Sequence, residues 1–152
     1  MNWLHRNAPA IEAAAAGVTA LVALAALIAI PWQIRATAEL QAEQSAREIY
    51  REYVALSVNK PQFAAPDYCG LRSRHEDWTA YQYYIEYLLY TAEQVTSVSH
   101  EWAPVVAGHL ETHQEFFCAE PEWNADTPLV SALIAQQRTQ CGPVTICLPI
   151  LK

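Results

Sequence analysis

The chain has 152 residues, a net charge of −7 and 53% hydrophobic residues that are spread unevenly. That length accommodates one anchor and a single small domain of about 115 residues, enough for one core. Nearly all the negative charge follows the anchor, where from Arg35 onward eight Lys/Arg stand against fifteen Asp/Glu. A domain this acidic repels phosphate backbones and anionic lipid, which excludes nucleic acid as a natural partner.

Residues 13–30, AAAAGVTALVALAALIAI, carry no charge and no strongly polar group except Thr19. At the helical rise they cover roughly 27 Å, close to the hydrocarbon thickness of a bilayer. Trp3 and Trp32 flank the run, roughly 43 Å apart along a helix, at interfacial depth on either side. Asn7 and Pro9 suit a helix start, and Glu12 falls in the first turns, where the helix dipole tolerates a carboxylate. The competing reading is a cleavable signal peptide, since Ala36-Thr37-Ala38 has the small-x-small pattern. The apolar run is longer than the roughly 7–15 residues of such a peptide, and Glu12 departs from its positive start. A tail and transmembrane anchor over residues 1–34 is therefore expected. Ala13/Gly17 and Ala16/Ala20 are small-xxx-small pairs, which permit a homodimer, or docking on another membrane helix, through the anchor.

An acidic helical domain is expected over residues 35–142. Leu40, Ala42, Ala46, Ile49, Tyr53 and Leu56 mark an apolar stripe of a helix over 35–58, with Pro31 a candidate kink at the junction. Residues 59–74 read as a loop broken by Pro61, Pro66 and Gly70 and pinned by Phe63, Tyr68 and Leu71. A second helix spans about 75–98, and a third about 101–118, with Pro104 tolerated in its first turn. A fourth spans about 128–140, capped by Asp126/Thr127 ahead of Pro128 and stopped at Gly142-Pro143. Residues 143–152 form an apolar C-terminal tail. No period-two alternation marks a core strand, so the expected fold is all-α: an N-terminal transmembrane helix followed by a small antiparallel four-helix bundle.

Three constellations carry the candidate chemistry. Trp78, Tyr81, Tyr83, Tyr84, Tyr87 and Tyr90 crowd one helix; most suit a core, while Tyr83, Tyr87 and Tyr90 point sideways and are candidate contact-surface residues. His109 and His113 share a helix face and offer a metal- or ligand-sensing alternative. HLETH is not HExxH, however, and both histidines continue the apolar stripe, so a packed pair without metal is expected. Cys69, Cys118, Cys141 and Cys147 lack CxxC spacing and are disulfide candidates if the compartment is oxidising. In an up-down bundle they sort end by end, Cys69 with Cys118 and Cys141 with Cys147. No GxSxG, P-loop, GxGxxG or paired-acid signature occurs, so no catalytic residue and no cofactor is expected.

The segments EIYREYVALSVNKPQFAAPDY, YQYYIEYLLYTAEQV, EWAPVVAGHLETHQEFF and TPLVSALI span most of residues 48–134. In this arrangement the chain resembles bacterial small single-pass membrane proteins that carry a helical domain of unknown function. The resemblance implies a helical fold and no assigned activity. Many such proteins have a basic stretch after the membrane helix; here only Arg35 lies close. The expectation is a non-enzymatic, membrane-tethered interaction module: an accessory subunit or scaffold of a membrane complex, in the bacterial inner membrane. The cysteines favour a periplasmic domain over a cytoplasmic one; charge alone does not orient the chain.

Overall fold

A computed structural model describes residues 2–142 and Cys147, and among residues 2–11 only the side chain of Asn7. The expected tail at 143–152 lies outside the described residues, Cys147 excepted, as does the side chain of Trp3. Among the described residues the fold is all-α, with seven α-helices, a 3-10 turn and no strand.

The chain divides into two compact units, Met1–Ala42 and Glu43–Lys152. Helix α1, Asn2–Asn59, passes through Pro31 without a break and opens the second unit with its last turns. From Glu12 on, its part in the first unit is apolar and long enough to cross a membrane, and nearly all the described side chains there are exposed, Leu27 and Ile28 at 72% and 76%. Trp32 is equally open, and a Cβ added at Gly17 would meet nothing within 4 Å. Among the described residues no packing within this unit covers that surface.

In the second unit, Ala46 and Tyr53 of α1 are buried, with Ile49, Tyr50, Leu56 and Ser57 half-buried beside them. Leu40, expected on the same stripe, is exposed. The expected loop 59–74 contains two short helices, α2 (Pro61–Ala64) and α3 (Tyr68–Arg72). Pro61 starts α2 because its missing N–H costs nothing in a first turn. The Asp67 carboxylate accepts from Gly70 N–H at 3.0 Å to open α3. A Cβ on residue 70 would push that carboxylate aside and with it the bond that opens α3. Phe63, Tyr68 and Leu71 are buried and pin the segment, as their spacing predicts.

Helix α4, His75–Val98, forms as the periodicity predicts, with Glu76 and Asp77 in its first turn beside the positive end of the helix dipole. Nine of its residues are buried, from Tyr81 to Thr96, a face wide enough to pack on several elements. A 3-10 turn, His100–Trp102, leads into α5, Ala103–Thr112, and α6, Gln114–Ala119. The expected third helix is thus broken at His113, whose φ of −106° and ψ of 20° are not helical.

Helix α7 is Pro128–Arg138. Its N-terminus differs from expectation. The Thr127 side chain makes no capping bond; instead Glu93 of α4 accepts the Thr127 N–H at 2.9 Å and the Asp126 N–H as well. A carboxylate from another helix satisfies donors that the helix leaves open.

The sense of α7 corrects the expected antiparallel order. Residues 120–127 are not a short turn but a return stroke along α4, from Glu120 beside Tyr68 to Asp126 beside Glu93. Arg138, at the other end of α7, then donates to Phe117 O and Pro121 O, each at 3.1 Å, and to Trp123 O. Helix α7 therefore starts and ends where the α5–α6 pair does, and both run against α4.

Candidate functional site

The interior of the domain is built from aromatic rings and their polar tips. Tyr84 OH donates to Tyr53 OH at 3.0 Å and lies 2.6 Å from Ser57 Oγ, tying α4 to α1. Tyr81 OH and His113 Nδ1 are 2.9 Å apart, and Tyr50 OH and His109 Nε2 are 3.1 Å apart; the imidazole tautomers set the donors. These bonds answer the requirement that buried hydroxyls and imidazoles find partners. Burial, before any charge, raises the Tyr53 and Tyr81 hydroxyls far above the ordinary phenol range. Burial lowers His109, and burial followed by the neighbouring His109 lowers His113 to about 4. These shifts keep Tyr53, Tyr81, His109 and His113 uncharged at neutral pH.

His113 is buried against Tyr81 and Tyr84, as its place on the apolar stripe predicts. His109 packs edge-on to Tyr53 with ring centroids 5.0 Å apart. Each histidine turns one nitrogen to a different tyrosine, His109 Nε2 to Tyr50 and His113 Nδ1 to Tyr81. Among the described residues no group of three His, Cys, Asp or Glu side chains is placed to hold a metal ion. That arrangement disfavours the metal-sensing alternative.

The four cysteines form two disulfides, Cys69–Cys147 and Cys118–Cys141. The expected pairs, Cys69 with Cys118 and Cys141 with Cys147, are therefore corrected. The reason lies in the return stroke: because residues 120–127 bring the chain back before α7 begins, α7 delivers Cys141 to the end of α6 rather than to the opposite end of the domain. All four sulfurs gather at the α3 end. Beside them is an ion pair absent from the sequence reading, Arg72 Nη1 to Glu120 Oε1 at 2.6 Å, with Tyr68 OH donating to the same oxygen at 3.0 Å. The Arg72 guanidinium also lies 5.5 Å from the Trp78 ring centre. Tyr68 and Arg72 are one helical turn apart, but no fixed spacing links them to Glu120, so no sequence motif could have signalled the cluster.

The sideways tyrosines of α4 lie where their helical positions predict. Tyr83 and Tyr90 are 69% and 50% exposed, and Tyr87 is half-buried, donating to Glu52 Oε2 at 3.3 Å. Tyr83, Tyr87 and Tyr90 follow one another along one side of α4, a ladder of positions in which Tyr87 and Tyr90 stack with centroids 6.4 Å apart. Compared with protein-family models, curated proteins and solved structures, the chain matches none of them.

Proposed function

We propose that this chain is a single-pass protein of the bacterial inner membrane, whose disulfide-stapled helical domain serves on the periplasmic side as a non-enzymatic interaction module. It would act as an accessory subunit or scaffold of a membrane protein complex, in keeping with its resemblance to small anchored bacterial proteins. The observation that carries this reading is the bare apolar surface of α1 joined in one chain to a domain with two disulfides. Exposed Leu and Ile over several turns require an apolar cover, which a bilayer supplies. Disulfides persist where the compartment is oxidising, which favours the periplasmic face. The tyrosine ladder supports a contact role, because Tyr buries large area at low entropy cost.

The test is purification of the full-length protein from native membranes in mild detergent. A partner of fixed stoichiometry, retained through size exclusion, is the expected result. Replacing residues 1–34 with an unrelated membrane helix distinguishes contact through the domain from contact through Ala13/Gly17 and Ala16/Ala20. A chain that elutes alone, or only as its own dimer, contradicts the accessory role.

A further inference from the structure

We propose that the groove between α4 and the return stroke 120–127 docks a basic segment of the partner protein, seating an arginine or lysine side chain. The inference rests on the interaction-module reading and names the surface and the chemistry of its partner. The groove has a volume of about 400 Å³ and is lined by Glu86, Leu89, Tyr90, Glu93, Trp123 and Asp126, among others, with no Lys or Arg among the described residues. Buried Leu89 makes it apolar at the base, and two aromatic residues and three carboxylates complete it. Among the described residues none of those carboxylates forms an ion pair. Glu93 is held in place by the two N–H groups at the start of α7, and neither bond uses its second oxygen.

Clustered carboxylates beside aromatic faces complement a cation twice, through charge and through the ring quadrupole. The domain already builds this combination once for itself, where Arg72 meets Glu120 and the Trp78 face. In the groove the same residue types meet, carboxylates of Glu86, Glu93 and Asp126 beside the rings of Tyr90 and Trp123. A free small amine would leave most of the surface uncovered. Tyr90 is at once a wall of the groove and the last rung of the ladder, which extends back to Tyr83, roughly 10 Å along the helix. An amphipathic segment fits that footprint, its cation in the groove and its apolar side on Tyr83 and Tyr87. Tyr and Arg are the residues most enriched in such contacts.

The experiment titrates full-length protein in neutral detergent with a fluorescein-labelled helical peptide bearing arginines at i, i+4 and i+7, followed by anisotropy. Its counterpart has glutamine in place of arginine. Saturable binding of the arginine peptide is expected, weakened at least tenfold by Glu86→Gln with Asp126→Asn, by Tyr90→Ala, and by glutamine in the peptide. Glu86, Tyr90 and Asp126 are exposed, and unchanged melting of the variants establishes that they fold. Absence of saturable binding, or equal binding by wild type and variants, overturns the proposal. Displacement by spermidine at concentrations equal to or below the peptide's own also overturns it, by marking a small-amine site. A stoichiometric partner in native membranes together with failed peptide binding sinks the groove and leaves the accessory role standing.

Discussion

Acidification should destabilise the domain through His113. The ring is 1% exposed, lies against Tyr81 and Tyr84, and meets Tyr81 OH at 2.9 Å. Burial, then the neighbouring His109, holds its pKa at about 4 instead of 6.5. Between those two values the unfolded chain binds a proton that the native chain refuses. Stability is therefore complete above about pH 6.5, falls as the pH drops toward 4, and levels off below it; the gap corresponds to about 3 kcal/mol. His109, lowered by burial, acts in the same direction. The assay is urea unfolding of the full-length protein in neutral detergent with its disulfides intact, read by near-ultraviolet circular dichroism between pH 7.5 and 4. Wild type should lose about 3 kcal/mol more over that range than His113→Gln, which is less stable at neutral pH but lacks the titrating group. Parallel curves for the two proteins, or an imidazole resonance of His113 titrating near 6.5, would refute the argument.

Trp78 is half-buried, with Tyr68, Tyr81 and Phe116 at centroid distances of 5.5, 6.0 and 5.9 Å. Trp78→Ala should cost about 2–3 kcal/mol, less than a fully buried tryptophan; an unchanged urea midpoint would mark it as a surface group. Glu93→Gln should weaken the start of α7 by about 1 kcal/mol, visible as faster amide exchange in its first turn and absent if Thr127 were the working cap. Cys69→Ser should leave one free thiol, on Cys147, and Cys118→Ser one on Cys141, as mapped by alkylation and mass spectrometry; a thiol on Cys118 in Cys69→Ser would restore the discarded pairing. With sequence separations of 78 and 23 residues, loss of the first bridge should cost about 4 kcal/mol and of the second about 3 in the chain-entropy model.

Much of the helical layout is legible in the sequence because it is local. The repeat from Tyr81 to Val95 defines α4, Pro128 announces α7, and the burial of His113 follows from the stripe it continues. What escapes is whatever depends on the path between helices. Nothing in PEWNADT distinguishes a turn from a return stroke; the difference is made by Trp123 packing on Phe116 and by Arg138 gathering the carbonyls of Phe117, Pro121 and Trp123. An error in that one segment reverses α7 and with it both cysteine pairs. The groove is equally hidden, since nothing local to α4 shows that the return stroke sets Trp123 and Asp126 beside Glu86 and Glu93. Candidate contact tyrosines could be named from the helix alone, because which side of α4 they occupy depends only on its period.

A protein anchored as proposed, with its domain on the oxidising side of the membrane, carries its cysteines as disulfides in the membrane. The most direct measurement is a thiol count on the chain recovered in carbonate-washed membranes of its native host, acid-quenched, denatured and labelled with a mass-tagged maleimide before and after reduction. Recovery in the washed membranes, with no reactive thiol before reduction and four after it, is expected from the two disulfides. Four reactive thiols before reduction, or a chain released by the carbonate wash, would contradict it.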